Sequence, residues 1–278
     1  VDNDLSGFLQ TRRARIRPED VGLPPYGRRR VPGLRREEVA QLAGVSVDYY
    51  IRLEQGRGRN VSESVLTAVC RVLQLTDTEQ EHLRSLIRPA GSGGSGAARP
   101  AAGRTGGRGG QTVRPGLRLL LDSMTAAPAF VLGRRMDVLA WNRLADAVAG
   151  FAAKAPAELN QARQVFLDPA APTVYPDWPA IAAETVAHLR LDAGRHPEDP
   201  ALAALVGELS LKSTDFRRLW ADHQVKEKTY GLKRMVHPAV GELEFGYETL
   251  QLPADPDQLL VAYTVTPGSP TAERLALL

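Results

Sequence analysis

Between Leu34 and Gly56 the chain reads LRREEVAQLAGVSVDYYIRLEQG, and this stretch restricts the possible folds more than any other. Apolar residues recur at helical spacing in two short runs, first Leu34, Val39, Leu42 and Ala43, then Tyr50, Ile51 and Leu53. Gly44-Val45-Ser46 separates them. A glycine there can take the left-handed conformation that ends a helix without a Cβ clash. Ser46 can start the next helix by accepting a hydrogen bond from one of its orphan backbone N–H groups. The segment is expected to be a helix-turn-helix.

A corner of this kind lets one helix brace across a DNA backbone while the N-terminal end of the next enters the major groove. On that docking Val47, Asp48 and Tyr49, with Arg52 one turn on, reach toward base edges or flanking phosphates, and Tyr50 and Leu53 turn inward. Arg35 and Arg36 open the bracing helix, where side chains and backbone N–H groups can both meet phosphate, and Arg57 follows the recognition helix. Upstream, LPPYGRRRVPG is broken by three prolines and two glycines and reads as a loop, whose Arg28, Arg29 and Arg30 are placed to ride along phosphates. The competing readings are a helical hairpin with a solvated charged face and, for the arginine run, a merely solvated loop.

The run AQLAGVSVDYYIRLEQG at Ala40–Gly56 resembles the XRE, or lambda-repressor-like, helix-turn-helix family, over about the first 88 residues. More narrowly, VPGLRREEVAQLAGVSVDYYIRLEQGR resembles the MmyB-like transcription regulators. So do VLGRRMDVLAWN and PDQLLVAYTVTPGSP farther along, so that this resemblance covers nearly the whole chain.

Around the motif, Leu5, Phe8, Leu9 and Ile16 mark a first helix, Ser62 caps a segment running to Leu73, and Thr76 and Glu79 have the spacing of a capping box. That makes five helices, with Leu66, Val69, Leu73, Leu83 and Leu86 closing a small core. Cys70 shares the apolar pattern, has no second cysteine to pair with, and reads as a packed core thiol.

Charge divides along the chain. Residues 1–90 hold 15 Arg, no Lys and 12 acids, residues 91–115 hold four Arg and no acid, and the remainder holds 16 basic against 20 acidic residues. A basic front end on an acidic back end fits a DNA-binding module carrying something that does not bind DNA. The expected division is a DNA-binding domain at 1–90, a flexible Gly/Ala/Arg linker at 91–114 and a second domain at 115–278. Gly91–Gly96 matches a dinucleotide fingerprint, but no strand precedes it and no amphipathic helix follows, so it is read as linker. The N-terminus lacks a basic segment followed by an apolar run, and no stretch approaches about 18 uninterrupted apolar residues, so a cytoplasmic location without membrane contact is expected.

From Pro115 the pattern mixes elements. A helix is expected over Leu117–Ala127, strands at Phe130–Leu132 and Met136–Trp141, and a helix at Asn142–Ala149 capped by Asn142. Helices follow at Leu159–Leu167, Trp178–Ala193, Pro200–Lys212 and Ser213–Asp222, then antiparallel strands near Gly231–Val236, Glu242–Leu250 and Leu259–Thr266. This is an α+β domain with helices on one face of an antiparallel sheet. The MmyB-like resemblance implies a PAS-like sensor fold enclosing an apolar cavity.

Catalytic signatures are sparse. His82, His188, His196, His223 and His237 show no metal-ligand spacing, and neither a nucleophile elbow nor a P-loop lysine occurs, so an enzyme and a cofactor are not expected. Large apolar side chains dominate instead, and the resemblance implies a receptor for a fatty acid or another apolar small molecule. The candidate lining is Phe130, Leu132, Trp141, Trp178, Phe216, Trp220, Tyr247 and Tyr263, with Arg218 or His223 for an acidic headgroup. The expected protein is a ligand-responsive transcription regulator, a homodimer placing two recognition helices about 34 Å apart on a pseudo-palindromic operator. Two alternatives stay open: a DNA-binding antitoxin or phage-type repressor whose second domain binds a protein, and an enzyme fused to its own regulator.

Overall fold

The computed structural model describes residues 2–24, 32–57, 61–87, 111–225 and 229–278. The Arg28–Arg30 run and the greater part of the Gly-rich segment lie outside them. Two compact units emerge, one of residues 1–94 with Arg190–Ala203 and Arg217–Glu227, the other of the rest.

The first unit is built on helices α1 (Asp2–Arg15), α2 (Arg36–Ala43), α3 (Val47–Glu54), α4 (Glu63–Val72) and α5 (Asp77–Ile87). The ends follow local chemistry. The Glu38 carboxylate accepts the Arg35 N–H at 2.7 Å, and Gly44, at φ 69°, donates its N–H to the Ala40 and Gln41 carbonyls and closes α2. Ser46 Oγ accepts the Tyr49 N–H at 3.2 Å, and Ser62 Oγ accepts that of Val65 at 3.3 Å. Thr76 and Glu79 form the reciprocal box, at 2.9 and 3.3 Å. The apolar stripes then meet in one core, where Phe8, Leu9, Leu34, Val39, Tyr50, Leu66, Val69 and Leu83 are fully buried. Cys70 lies in this core, and burial pushes its thiol pKa up.

Gly33 is the tightest point. Its φ is 72°, Leu34 N–H donates to the Arg13 carbonyl at 3.1 Å, and Arg13 Nη1 donates to the Leu34 carbonyl at 2.6 Å. A Cβ on Gly33 would fall 2.2 Å from the Arg13 carbonyl oxygen. Gly33→Ala is therefore expected to cost roughly 1–3 kcal/mol, read as a lowered urea midpoint of the helical unit with an unchanged slope.

The second unit is α+β. Strands β1 (Ala129–Gly133), β2 (Val138–Trp141), β3 (Tyr230–His237), β4 (Gly241–Gln251) and β5 (Gln258–Thr264) form one antiparallel sheet in the order β2-β1-β5-β4-β3. Side chains alternate between its faces. Ala129, Val131, Ala140, Leu252 and Leu260 pack against Leu117 and Leu121 of α6 (Pro115–Ser123), together with Val113. Phe130, Phe245, Tyr247, Val261 and Tyr263 occupy the opposite face, where α7 (Arg143–Ala149) meets β1 and α9 (Ala171–Val174) meets β3. The remaining helices are α8 (Gln161–Leu167), α10 (Trp178–Arg195), α11 (Pro200–Lys212), α12 (Thr214–Ala221) and α13 (Pro270–Leu275).

Asn142 does more than cap. Its Oδ1 accepts the Ala145 N–H at 2.9 Å and the Ala129 N–H at 3.1 Å, while its Nδ2 donates to the Met124 and Ala127 carbonyls, both at 2.7 Å. One buried amide thereby joins the start of β1, the loop after α6 and the first turn of α7. The strand expected from Met136 begins only at Val138, because Arg135 and Met136 take left-handed φ values of 60° and 63° and turn the chain. The sequence reading also left out α13, although Ser269-Pro270 is a start signal; Ser269 Oγ accepts the Ala272 N–H at 3.2 Å.

Candidate functional site

Among the described residues, most of the DNA-reading candidates are exposed on the first unit. Val47 is 40% exposed at the first turn of α3, Asp48 and Arg52 are exposed, and Tyr49 is half-buried. Arg52 Nε donates to the Asp48 carbonyl at 3.4 Å, a long contact that holds the guanidinium loosely along its own helix. Arg35 and Arg57 are exposed, with Arg35 Nη1 3.7 Å from Glu37. Tyr50 and Leu53 point inward, so α3 presents a mixed apolar and charged edge of the kind that touches thymine methyls and guanine edges.

Arg36 has a second role that spacing did not reveal. Its Nε and Nη2 both donate to Glu54 Oε1, at 3.0 and 2.8 Å, and Arg13 Nε donates to Glu54 Oε2 at 3.2 Å. Glu54 is completely buried, and its hydrogen bonds and charge raise the pKa of Arg36. Burial first, then the charge of Glu54, pushes the Tyr50 hydroxyl well above the ordinary phenol range. One carboxylate thus fixes the start of α2 and the end of α3 against α1. Backbone geometry at the corner between α2 and α3 depends on it.

Arg218 and His223, expected from sequence to meet a ligand headgroup, and Trp220, expected to line the pocket, fall in the part of the chain that belongs to the first unit. There Arg190 stacks over Trp220, 4.2 Å from the ring centre, and donates to the Trp220 carbonyl. Arg190 Nη1 lies 2.9 Å from His223 Nδ1, and Arg12 Nη2 donates to the His223 carbonyl at 2.8 Å. Arg12 also pairs with Glu79 at 2.8 Å. Burial lowers both guanidinium pKa values to about 10. His223, desolvated and beside Arg190, is pushed down to about 4, and His82, buried against Phe8, to about 3. A Nδ1 that accepts from a guanidinium has no place for a proton of its own.

The other ligand candidates form two aromatic groups in the second unit. Phe130 lies 5.6 Å from Phe151 and 5.8 Å from Tyr263; Trp141 lies 5.4 Å from Phe151, and Phe245 stacks on Tyr263 at 5.1 Å. Tyr247 faces Tyr263 across β4 and β5, and burial followed by the charge of Glu184 lifts its hydroxyl to about 12. Leu132 is buried on β1. Trp178 and Phe216 meet separately, each against Phe166 at 6.2 and 5.1 Å, and Trp178 Nε1 donates to the Val165 carbonyl at 2.9 Å.

A cavity of about 250 Å³ opens beside the first group, between α7, α8, α9 and the end of β3, lined by Val148, Lys154, Asp168, Val174, Tyr175 and Met235 among others. Of these, sequence reasoning singles out Met235 alone, as one of the large apolar side chains that could fill a core or line a pocket. The available signal was a lysine three positions after Phe151, a cation set within an otherwise apolar stretch. A second, more polar cleft of about 440 Å³ runs between β4 and α13, past Glu242, Glu244, Thr266 and Arg274. Among the described residues no group of three or more His, Cys, Asp or Glu side chains is placed to hold a metal ion, and no helix is long and apolar enough to cross a membrane.

A family model described as the MmyB-like transcription regulator ligand binding domain matches residues 113–278, and one described as a helix-turn-helix domain matches residues 4–83. No curated protein matches the chain.

Proposed function

The chain belongs to the MmyB-like transcription regulators, and on that premise we propose that it binds a pseudo-palindromic operator as a homodimer and responds to an apolar small molecule such as a fatty acid. The observation that carries this reading is the pairing, in one chain, of a capped recognition helix with a separate α+β unit that holds a cavity lined largely by apolar side chains. The helical bundle supports a lambda-repressor-like head at 1–90, tethered through 91–114. Helices over an antiparallel sheet with an aromatic layer between them support a PAS-like sensor at 115–278. Self-association finds support in Leu119 and Leu120 on the outer side of α6, which are 70% and 49% exposed.

Ligand controls DNA binding only if its affinity differs between two arrangements of the protein. Native mass spectrometry of the full chain, with extraction of whatever dissociates on denaturation, tests the reading. A lipid-like mass whose removal and return changes operator affinity supports it. Copurification of a protein at fixed stoichiometry instead would replace it with the antitoxin or phage-type repressor reading.

Arg52→Ala is expected to cost roughly 1–3 kcal/mol on the operator and to relax base choice at the contacted position. Equal losses on operator and random duplex, measured at one salt concentration, would reduce Arg52 to a phosphate contact.

A further inference from the structure

The 250 Å³ cavity is apolar along Ala147, Val148, Ala171, Val174 and Met235, yet Lys154 stands on its wall. The Lys154 ammonium lies 5.7 Å from the centre of the Phe151 ring and makes no hydrogen bond or ion pair to another described residue. Burial lowers its pKa and outweighs the charges of Asp168 and Glu158, which raise it, so its charge is held where water solvates it incompletely. A cation in that position gains from an anion that reaches it.

The neighbouring polar groups narrow the choice. Both ring nitrogens of His237 are engaged, Nε2 with the Ala147 carbonyl at 3.1 Å and Nδ1 with the Ala239 N–H at 3.3 Å, which leaves the imidazole no hydrogen bond for a ligand. Gln164 commits one of its two amide N–H groups to the Glu158 carbonyl at 2.9 Å and brings no charge to an anion. Asp168 lines the same cavity and already accepts the Ala170 N–H at 2.9 Å, so a negative charge accompanies the lysine. A dianion would meet that carboxylate at close range, whereas a monoanion can lie on the lysine alone. Size sets the other limit. Benzene fits a cavity of about 150 Å³, so this one suits an apolar body of roughly eight to twelve non-hydrogen atoms.

We propose that Lys154 is the headgroup-recognition residue of a site for small monocarboxylates, with the carboxylate on the Lys154 ammonium and the apolar body along Val148, Val174 and Met235. The proposal rests on the reading of this unit as a ligand sensor. It moves recognition of the acid away from Arg218 and His223, whose surroundings belong to the helical unit, and it sets a compact ligand against a long chain.

The test is calorimetric titration of the full chain with octanoate, octanol and octyl phosphate at pH 7.5. Octanoate is expected to bind, with Lys154→Met weakening it about ten- to a hundredfold, Lys154→Arg restoring part of the loss, and octanol binding equally to all three proteins. Octyl phosphate should bind the wild type more weakly than octanoate. Coincident thermal unfolding of the variants shows that the lysine acts on ligand and not on folding. Octanoate binding that is unchanged in Lys154→Met, or absent in the wild type, overturns the proposal. The sensor reading fails separately, if no extracted small molecule alters operator affinity.

Discussion

Glu54→Ala is expected to remove about 3–5 kcal/mol from the helical unit, a large part of the 5–15 kcal/mol that holds a domain of ordinary stability together. The reason is the asymmetry of a buried ion cluster. Two guanidiniums, Arg13 and Arg36, converge on one buried carboxylate, and removing it leaves the largely buried Arg13 guanidinium with the Leu34 carbonyl but no counter-charge. Because α1, α2 and α3 each contribute a member, loss of the cluster loosens all three around the helix-turn-helix corner. Amide hydrogen exchange of the full-length variant should show protection lost together across those helices, with operator binding lost alongside. Glu54→Gln keeps the shape and one acceptor and should fall between. A variant whose exchange and melting match the wild type would mean that apolar packing alone fixes the corner.

Acidification should destabilise the same unit through His82. Its folded pKa of about 3 lies below the 6.5 of an unperturbed histidine, because burial first, and then the charges of Arg190 and Arg12, disfavour the protonated ring. Between those two values the unfolded chain binds a proton that the folded chain does not. The stabilising contribution is therefore complete above pH 6.5 and falls as the pH drops toward 3, by roughly 1.4 kcal/mol per pH unit. His223, pushed down to about 4, acts in the same direction over the upper part of that window. Urea midpoints measured from pH 7.5 to 4.5 should decline steeply, and His82→Leu, which keeps the packing against Phe8, should flatten the slope by about one proton. An equally steep decline in His82→Leu would assign the acid limb to other groups.

Much of the chain could be read without coordinates because short-range chemistry decides it. Gly44, Ser46, Ser62, Thr76 and Asn142 each cap the helix expected of them, since a cap needs only a side-chain oxygen or a missing Cβ at a fixed offset from N–H and C=O groups already present. The strands were legible by alternation. Their limits were not, because the left-handed turn at Arg135 and Met136 leaves no mark in hydropathy.

The site residues divide along the same line. Val47, Asp48, Tyr49 and Arg52 could be placed on one exposed edge because a single helix carries them and its period relates them. Phe130, Trp141 and Tyr263 were recognisable as large apolar residues of one domain, yet that they gather around Phe151 and Phe245 depends on strand order. Arg218 and His223 fitted a ligand headgroup, and Trp220 an apolar lining, by residue type and spacing. The partners of Trp220 and His223, Arg190 and Arg12, lie about 30 to over 200 positions away, beyond the reach of any helical or strand period.

Sequence alone determined the helix-turn-helix, its caps, the basic front and acidic back, and the alternation of helices and strands, because each rests on interactions between residues a few positions apart. Only the tertiary structure decided that Glu54 ties three helices through Arg13 and Arg36, that His82 is buried beside Phe8, and that Lys154 stands on the wall of an apolar cavity. Each of these depends on desolvation and on charges brought together by folding, and neither burial nor the distance between remote side chains is written in local order.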